Sequence, residues 1–155
     1  MQENNINPNI SIEDKILLIK DLCARIPYAV EIEHKSGFSG TLHEITSYCL
    51  YDGDDVKDME CGIDFFGDND YIKVEYFRPY LIPLSKMTAK QNEEWRDYWF
   101  PDLMSSTDFS YPESEKYLAL SHAKSMEWLY AHHFDVNGLI EKGLAIDASE
   151  LNIYS

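Results

Sequence analysis

The spacing of apolar residues changes period twice along the chain, and the changes divide it into a helix, a run of strands and a second group of helices. From Ser11 onward, Ile16, Leu18, Ile19, Leu22 and Ile26 recur at mixed three- and four-residue intervals until Pro27 ends the run. Ser11 stands three residues ahead of Asp14, a capping-box variant in which a short side-chain oxygen takes a first-turn N–H that has no partner inside the helix. A mostly buried first helix is expected. Over 28–34 the period falls to two, with Tyr28, Val30 and Ile32 on one face and Glu31 and Glu33 on the other, the pattern of a half-buried strand. SGFSG then turns the chain. Thr41 to Tyr51 is rich in β-branched and aromatic residues and predicts a strand or strand pair, with Leu42 and Ile45 breaking parity as a bulge would.

Asp52-Gly53-Asp54-Asp55 reads as a turn, Cys61 to Phe66 as a short strand, and Gly67-Asp68-Asn69-Asp70 as a second hairpin-type turn. Tyr71 to Phe77 alternates again, with Ile72, Val74 and Tyr76 inward. Pro79 and Pro83 bracket Tyr80-Leu81-Ile82, which a missing backbone donor at each end confines to an edge or a strand exit. From Thr88 the helical period returns. Thr88 and Gln91 form a second capping box ahead of Trp95, Tyr98 and Trp99, and Pro101 closes that segment. Pro112 with Glu113 and Glu115 has first-turn chemistry for a long helix through about His132, and Asp135 suits an N-cap for a short last helix ended by Gly143.

Helix, then strands, then helices is the order of an α+β domain, not of a parallel βαβ fold. The expected architecture is a small curved antiparallel sheet with an N-terminal helix and C-terminal helices. The initial helix followed by a meander also resembles SH3-like or Sm-like small barrels. Residues 1–10 are Asn-rich without periodicity and read as a disordered tail, leaving 11–155 as one domain.

Composition narrows the function classes. Thirteen Lys and Arg stand against 28 Asp and Glu, a formal charge of −15, and such a field repels phosphate backbones. Direct binding to nucleic acid is not expected; a partner with a basic surface is. No apolar run approaches the roughly 20 residues needed to cross a bilayer, and MQENNINPNI lacks a basic and an apolar export region. Cys23, Cys49 and Cys61 form an odd set with no CxxC pair, as reduced thiols in a cytoplasmic protein would.

Candidate chemistry is sparse. His132-His133-Phe134-Asp135, with His122 ten residues ahead of His132, is the most site-like cluster and defines one alternative, a metal-dependent hydrolase. Its spacing matches no HExxH pattern, and the expected reading is of His residues that pack a helix junction with Asp135 as cap. Asp52, Asp54, Asp55, Asp58 and Glu60 fail the order of a calcium loop, because Val56 and Lys57 occupy positions that need a ligand and a glycine. No GxSxG, Walker or GxGxxG pattern is present, so neither catalysis nor a bound cofactor is expected; a small-nucleotide module is a further alternative. Aromatic residues make up 14% of the chain, and Trp95, Tyr98, Trp99, Phe100, Phe109 and Tyr111 fall between two predicted helices. Large amphipathic rings beside acids serve as anchors in protein interfaces and equally as core packing. The expectation is a non-enzymatic interaction protein whose contacts are Trp95, Tyr98, Trp99 and Phe109, with Asp52, Asp54 and Asp55 supplying charge.

DKILLIKDLCARIPYAV at 14–30, RPYLIPLSKMT at 78–88 and WLYAHHFDVNGLIEKGLAIDA at 128–148 resemble an uncharacterised family of short acidic proteins from gut Bacteroidales genomes and their phages and prophages. Val136-Asn137 departs from the Tyr-Arg of that family after HFD. The resemblance supplies no activity, ligand or site residue. It implies a mobile-element or commensal accessory protein in a bacterial cytosol.

Overall fold

The computed structural model describes residues 6–99 and 111–154. Helix α1 (Ile12–Arg25) opens as expected, with Ser11 Oγ accepting from Asp14 N at 3.1 Å. A 3₁₀ turn spans Ile26–Tyr28, and Ala29 at φ +54° reverses the chain. The predicted strand 28–34 therefore starts late, as β1 (Glu31–His34), because a left-handed residue cannot continue an extended run. β2 (Ser39–Thr41) pairs back on β1, Leu42 N–H still reaches Val30 O, and residues 43–45 then leave the ladder before β3 (Thr46–Asp52) and β4 (Asp55–Ile63) form a long hairpin. Its turn is the acidic one, with Gly53 at φ +66°. The bulge lies between Leu50 and Tyr51, later than the parity break at Leu42 and Ile45 places it.

Two expectations about the strands are corrected. Residues 71–77 are not one strand: β5 (Ile72–Lys73) pairs with β4, a 3₁₀ turn spans Val74–Tyr76, and β6 (Phe77–Leu81) joins a different sheet. The segment is a corner between two sheets: β5 is half-buried on both residues, whereas Val74 and every residue of β6 are buried, so the alternation of the sequence does not carry over into burial. Of the two alternatives for residues 80–82, the edge is corrected, while the strand does end at Leu81 and Ile82 lies at its exit. β6 lies between β1 and β7 (Ile146–Asp147), and all five of its residues are buried. Lys35 N–H donates to Tyr76 O, so alternation along the ladder leaves Pro79 opposite Ile32 in a pair that exchanges no hydrogen bonds. On its other side β7 pairs only from Tyr80 onward. Neither neighbour requires the missing N–H.

The strands thus form two sheets, β2-β1-β6-β7 and β3-β4-β5, and the described residues contain no closed barrel. β6 and β7 run parallel, so the first sheet is mixed, not purely antiparallel. Leu18, Leu22, Val30, Ile32, Val74, Phe77, Leu81 and Leu139 form the core between α1 and the sheets. Helix α2 (Ala89–Trp99) carries a reciprocal capping box, with Thr88 Oγ1 accepting from Gln91 N and Gln91 Oε1 accepting from Thr88 N. Helix α3 (Tyr111–Ala131) ends in a Schellman motif, since Phe134 N–H reaches Leu129 O and His133 N–H reaches Tyr130 O. His133 occupies, at φ +65°, the left-handed position that glycine usually fills.

Asp135 does act as a cap, accepting from Leu139 N at 2.9 Å and Ile140 N at 3.0 Å, but a tight turn forms in place of the predicted helix. Gly138 and Gly143, at φ +69° and +72°, bound a segment too short for a second helical turn. Residues 6–10, expected as the end of a disordered tail, run along the body: Asn7 O accepts from Arg78 Nη2, and Ile10 packs on the core.

Candidate functional site

The His cluster is taken apart by the fold. His122 is exposed on α3. His132 stacks on Trp128 with ring centroids 3.8 Å apart, its Nδ1 within 2.8 Å of Trp128 O, while His133 stacks on Tyr154 at 3.7 Å. Asp135 is committed to its turn. Among the described residues no group of three or more His, Cys, Asp or Glu is placed to hold a metal ion.

His133 belongs to a buried polar node. Arg25 is fully buried, donates from Nε and Nη2 to the Asp21 carboxylate at 2.7 and 3.1 Å, and donates again from Nη2 to Phe134 O at 2.8 Å. Its guanidinium lies 4.8 Å from the Tyr130 ring centroid, and Asn137 Nδ2 donates to both Asp21 and the Tyr130 hydroxyl. Tyr154 completes the node by entering the β1–β6 seam. Its hydroxyl accepts from Glu31 N at 2.9 Å and donates to Tyr80 O at 2.8 Å, replacing one rung of the ladder. Burial pushes that phenol up to about 12. With Asp21 and Arg25 enclosed, this is a clamp joining α1, the end of α3 and the sheet, not a surface that meets a ligand.

Burial, the Arg25 charge and His132 hold the His133 imidazole down at about 4. The unfolded chain takes up this proton near pH 6.5, whereas the folded chain resists it until about pH 4. Stability from this residue is therefore present above the unfolded value and lost as pH falls from 6.5 toward 4. Allowing for partial solvent screening of the ring, the loss is about 2 kcal/mol. Denaturant midpoints measured from about pH 7 to about pH 4.5 will show it, and His133→Asn, which tolerates the left-handed backbone and does not titrate, will flatten the slope.

The aromatic group on α2 divides as well. Trp95 donates from Nε1 to Ser125 Oγ at 3.1 Å and packs against the Trp128, Leu129 and Phe134 cluster, so it fills the α2–α3 seam. Trp99 is half-buried beside it, and Tyr98, 40% exposed, bonds Glu127. Phe109 lies outside the described residues, as does Phe100. Asp52, Asp54 and Asp55 are exposed at the β3–β4 turn, on a separate element. An open cavity of about 320 Å³ lined by Ile82, Lys86, Thr88, Gln91, Ser149 and Glu150 lies at the start of α2, where the capping box already occupies Thr88 N and Gln91 N.

A different surface brings aromatic rings together. The fully buried Phe77 supports Phe65 at 5.2 Å, Phe65 meets Phe66 edge-on at 5.1 Å, and Phe66 meets Phe38 edge-on at 6.1 Å. This series runs from core to solvent, leaving Phe38 48% and Phe66 55% exposed. Both loops beneath it are fixed. In the β1–β2 turn, Gly37 at φ +98° lets His34 N–H reach Phe38 O at 2.7 Å, and His34 Nδ1 accepts from Ser36 N. Burial of the ring, with the Lys35 charge beside it, holds the imidazole below its usual range, so it joins the stack in neutral form. In the β4–β5 loop the Asp64 carboxylate accepts from Asp68 N and Asn69 N, and Asp68 accepts from Asp70 N. Gly40 leaves room for Phe65, whose ring would lie 3.1 Å from any added Cβ.

Sequence reasoning misses Phe38 and Phe66 because each sits in or beside a stretch that reads as a turn. The available signal is that very conflict: a large ring among Gly, Ser and Asp has no strand or helix to carry it into a core. Among the described residues no helix is long and apolar enough to cross a membrane. The chain matches no family model, no curated protein and no solved structure.

Proposed function

We propose that the protein acts by binding, not by catalysis, and that it docks a protein partner on the Phe38–Phe66 patch. The observation that carries this reading is the pair of half-exposed phenyl rings packed edge-on in a ring series rooted in the core. Exposed apolar side chains oppose solubility, and packed aromatic anchors lose little entropy on contact, as the anchors of an interface hot spot do. The role expected of Trp95, Tyr98 and Trp99 passes to this patch, since Trp95 is committed to the α2–α3 seam. Asp52, Asp54 and Asp55 add only to the overall field. The setting is the cytoplasm of a gut bacterium, with the protein encoded by a mobile element or prophage; the small-barrel likeness has no part in the reading.

A photo-crosslinking phenylalanine analogue tests it. Placed at Phe66 in protein expressed in a gut Bacteroidales host, it will yield one discrete adduct with another polypeptide. The same group at Ile12 or Leu120, which are similarly exposed elsewhere, will not. Equal adduct patterns at all three positions would overturn the proposal.

A further inference from the structure

Resting on that reading, we infer that the segment received by the Phe38–Phe66 patch is cationic: an extended stretch of the partner in which apolar residues alternate with Lys or Arg. Asp64, Asp68 and Asp70 share one loop with Phe66, so the acidic rim of the patch is that loop, with Asp64 and Asp68 also accepting from its backbone, and the chain as a whole carries −15. Lys35, a cation of the β1–β2 turn, lies over the Tyr76 ring at 5.7 Å, beside His34 and on a different loop from Phe66. The rings thus face solvent beside negative charge. A second copy of this chain would set one acidic rim against another and is disfavoured by the same charge that attracts a basic segment. A neutral apolar segment would satisfy the rings and leave the rim unanswered. A polar cationic segment would pair with the rim and leave two phenyl rings in water. A segment carrying both characters meets the whole surface, apolar at its centre and charged at its edge, as interfaces are generally built.

Three labelled peptides of about twelve residues, alternating Leu/Lys, Leu/Ser and Ser/Lys, separate the outcomes when titrated by fluorescence anisotropy at about 150 mM salt. The Leu/Lys peptide is expected to bind at least about tenfold tighter than either control. Phe38→Ser/Phe66→Ser should lose that affinity at unchanged charge. Asp68→Asn/Asp70→Asn, which keeps the acceptors of the loop, should weaken it at least about fivefold, whereas Glu93→Gln/Asp97→Asn, which removes the same charge from α2, should not. Equal weakening by the two charge variants would mean the field of the whole protein is responsible, and the inference fails. Tight binding of Leu/Ser that depends on Phe66 would also defeat it while leaving a docking patch in place. Binding of Leu/Lys that ignores the Phe38/Phe66 substitution would remove the docking patch itself.

Discussion

Replacing Asp21 with Ala will destabilise the protein by about 3–5 kcal/mol, because it leaves the Arg25 guanidinium buried without its counter-charge. The pair lies one turn apart on α1, and both side chains have zero exposure. Among the described residues the Arg25 Nη1 is already buried without a hydrogen-bond partner, so losing the carboxylate adds Nε to the unsatisfied donors of the same guanidinium. The damage spreads because Asn137 donates to the same carboxylate and Arg25 holds Phe134 O. The double variant Asp21→Leu/Arg25→Met removes both charges at similar volume and will recover most of the loss, since much of the gain from a buried ion pair is offset by the cost of drying it. Urea denaturation of the three proteins checks this. A loss below about 1 kcal/mol for Asp21→Ala would show that water reaches the node.

Arg78 supports the sheet through backbone carbonyls, and among the described residues it has no carboxylate within ion-pair distance. It is 2% exposed and donates to four carbonyls: Gly143 O, Glu75 O, Phe77 O and Asn7 O. Burial lowers its pKa, with Glu75 pulling back. The planar fork of a guanidinium can serve several acceptors at once, and Lys cannot reproduce it. Arg78→Met will therefore leave buried carbonyls unsatisfied, each costing about 1–3 kcal/mol, for a net loss of about 3–5 kcal/mol. It will also release residues 6–10, whose amides will exchange with solvent faster by at least about tenfold. Arg78→Lys will fall between. If residues 6–10 stay protected in Arg78→Met, the segment is held by Ile10 packing instead.

How much of the fold is legible in the sequence depends on the range of the interactions. The caps at Ser11 and Thr88 and the acidic hairpin turn can be read because each is a contact between near neighbours in the chain. The α+β class can be read because period changes survive tertiary packing. The features that escape are long-range. Residues 71–77 alternate whether they form one strand or bend between two sheets, and only the partners at Gly62 and His34 decide. Pro79 argues for an edge unless one knows that its missing donor faces neither neighbour's acceptor. His133 looks like a ligand because sequence shows its chemistry but not its left-handed backbone or the Tyr154 ring upon it. The patch requires knowing that two distant turns place Phe38 and Phe66 edge to face.

If these two rings are exposed for contact, with folding left mainly to the residues beneath them, one double variant shows both. For Phe38→Ser/Phe66→Ser, unfolding by urea should stay within about 2 kcal/mol of the parent, the cost of two half-exposed rings and their edge-on contacts. In the same preparation, capture of the partner that crosslinks at Phe66 should fall to background. A stability loss above about 3 kcal/mol with capture retained would make the rings part of the core and contradict the account.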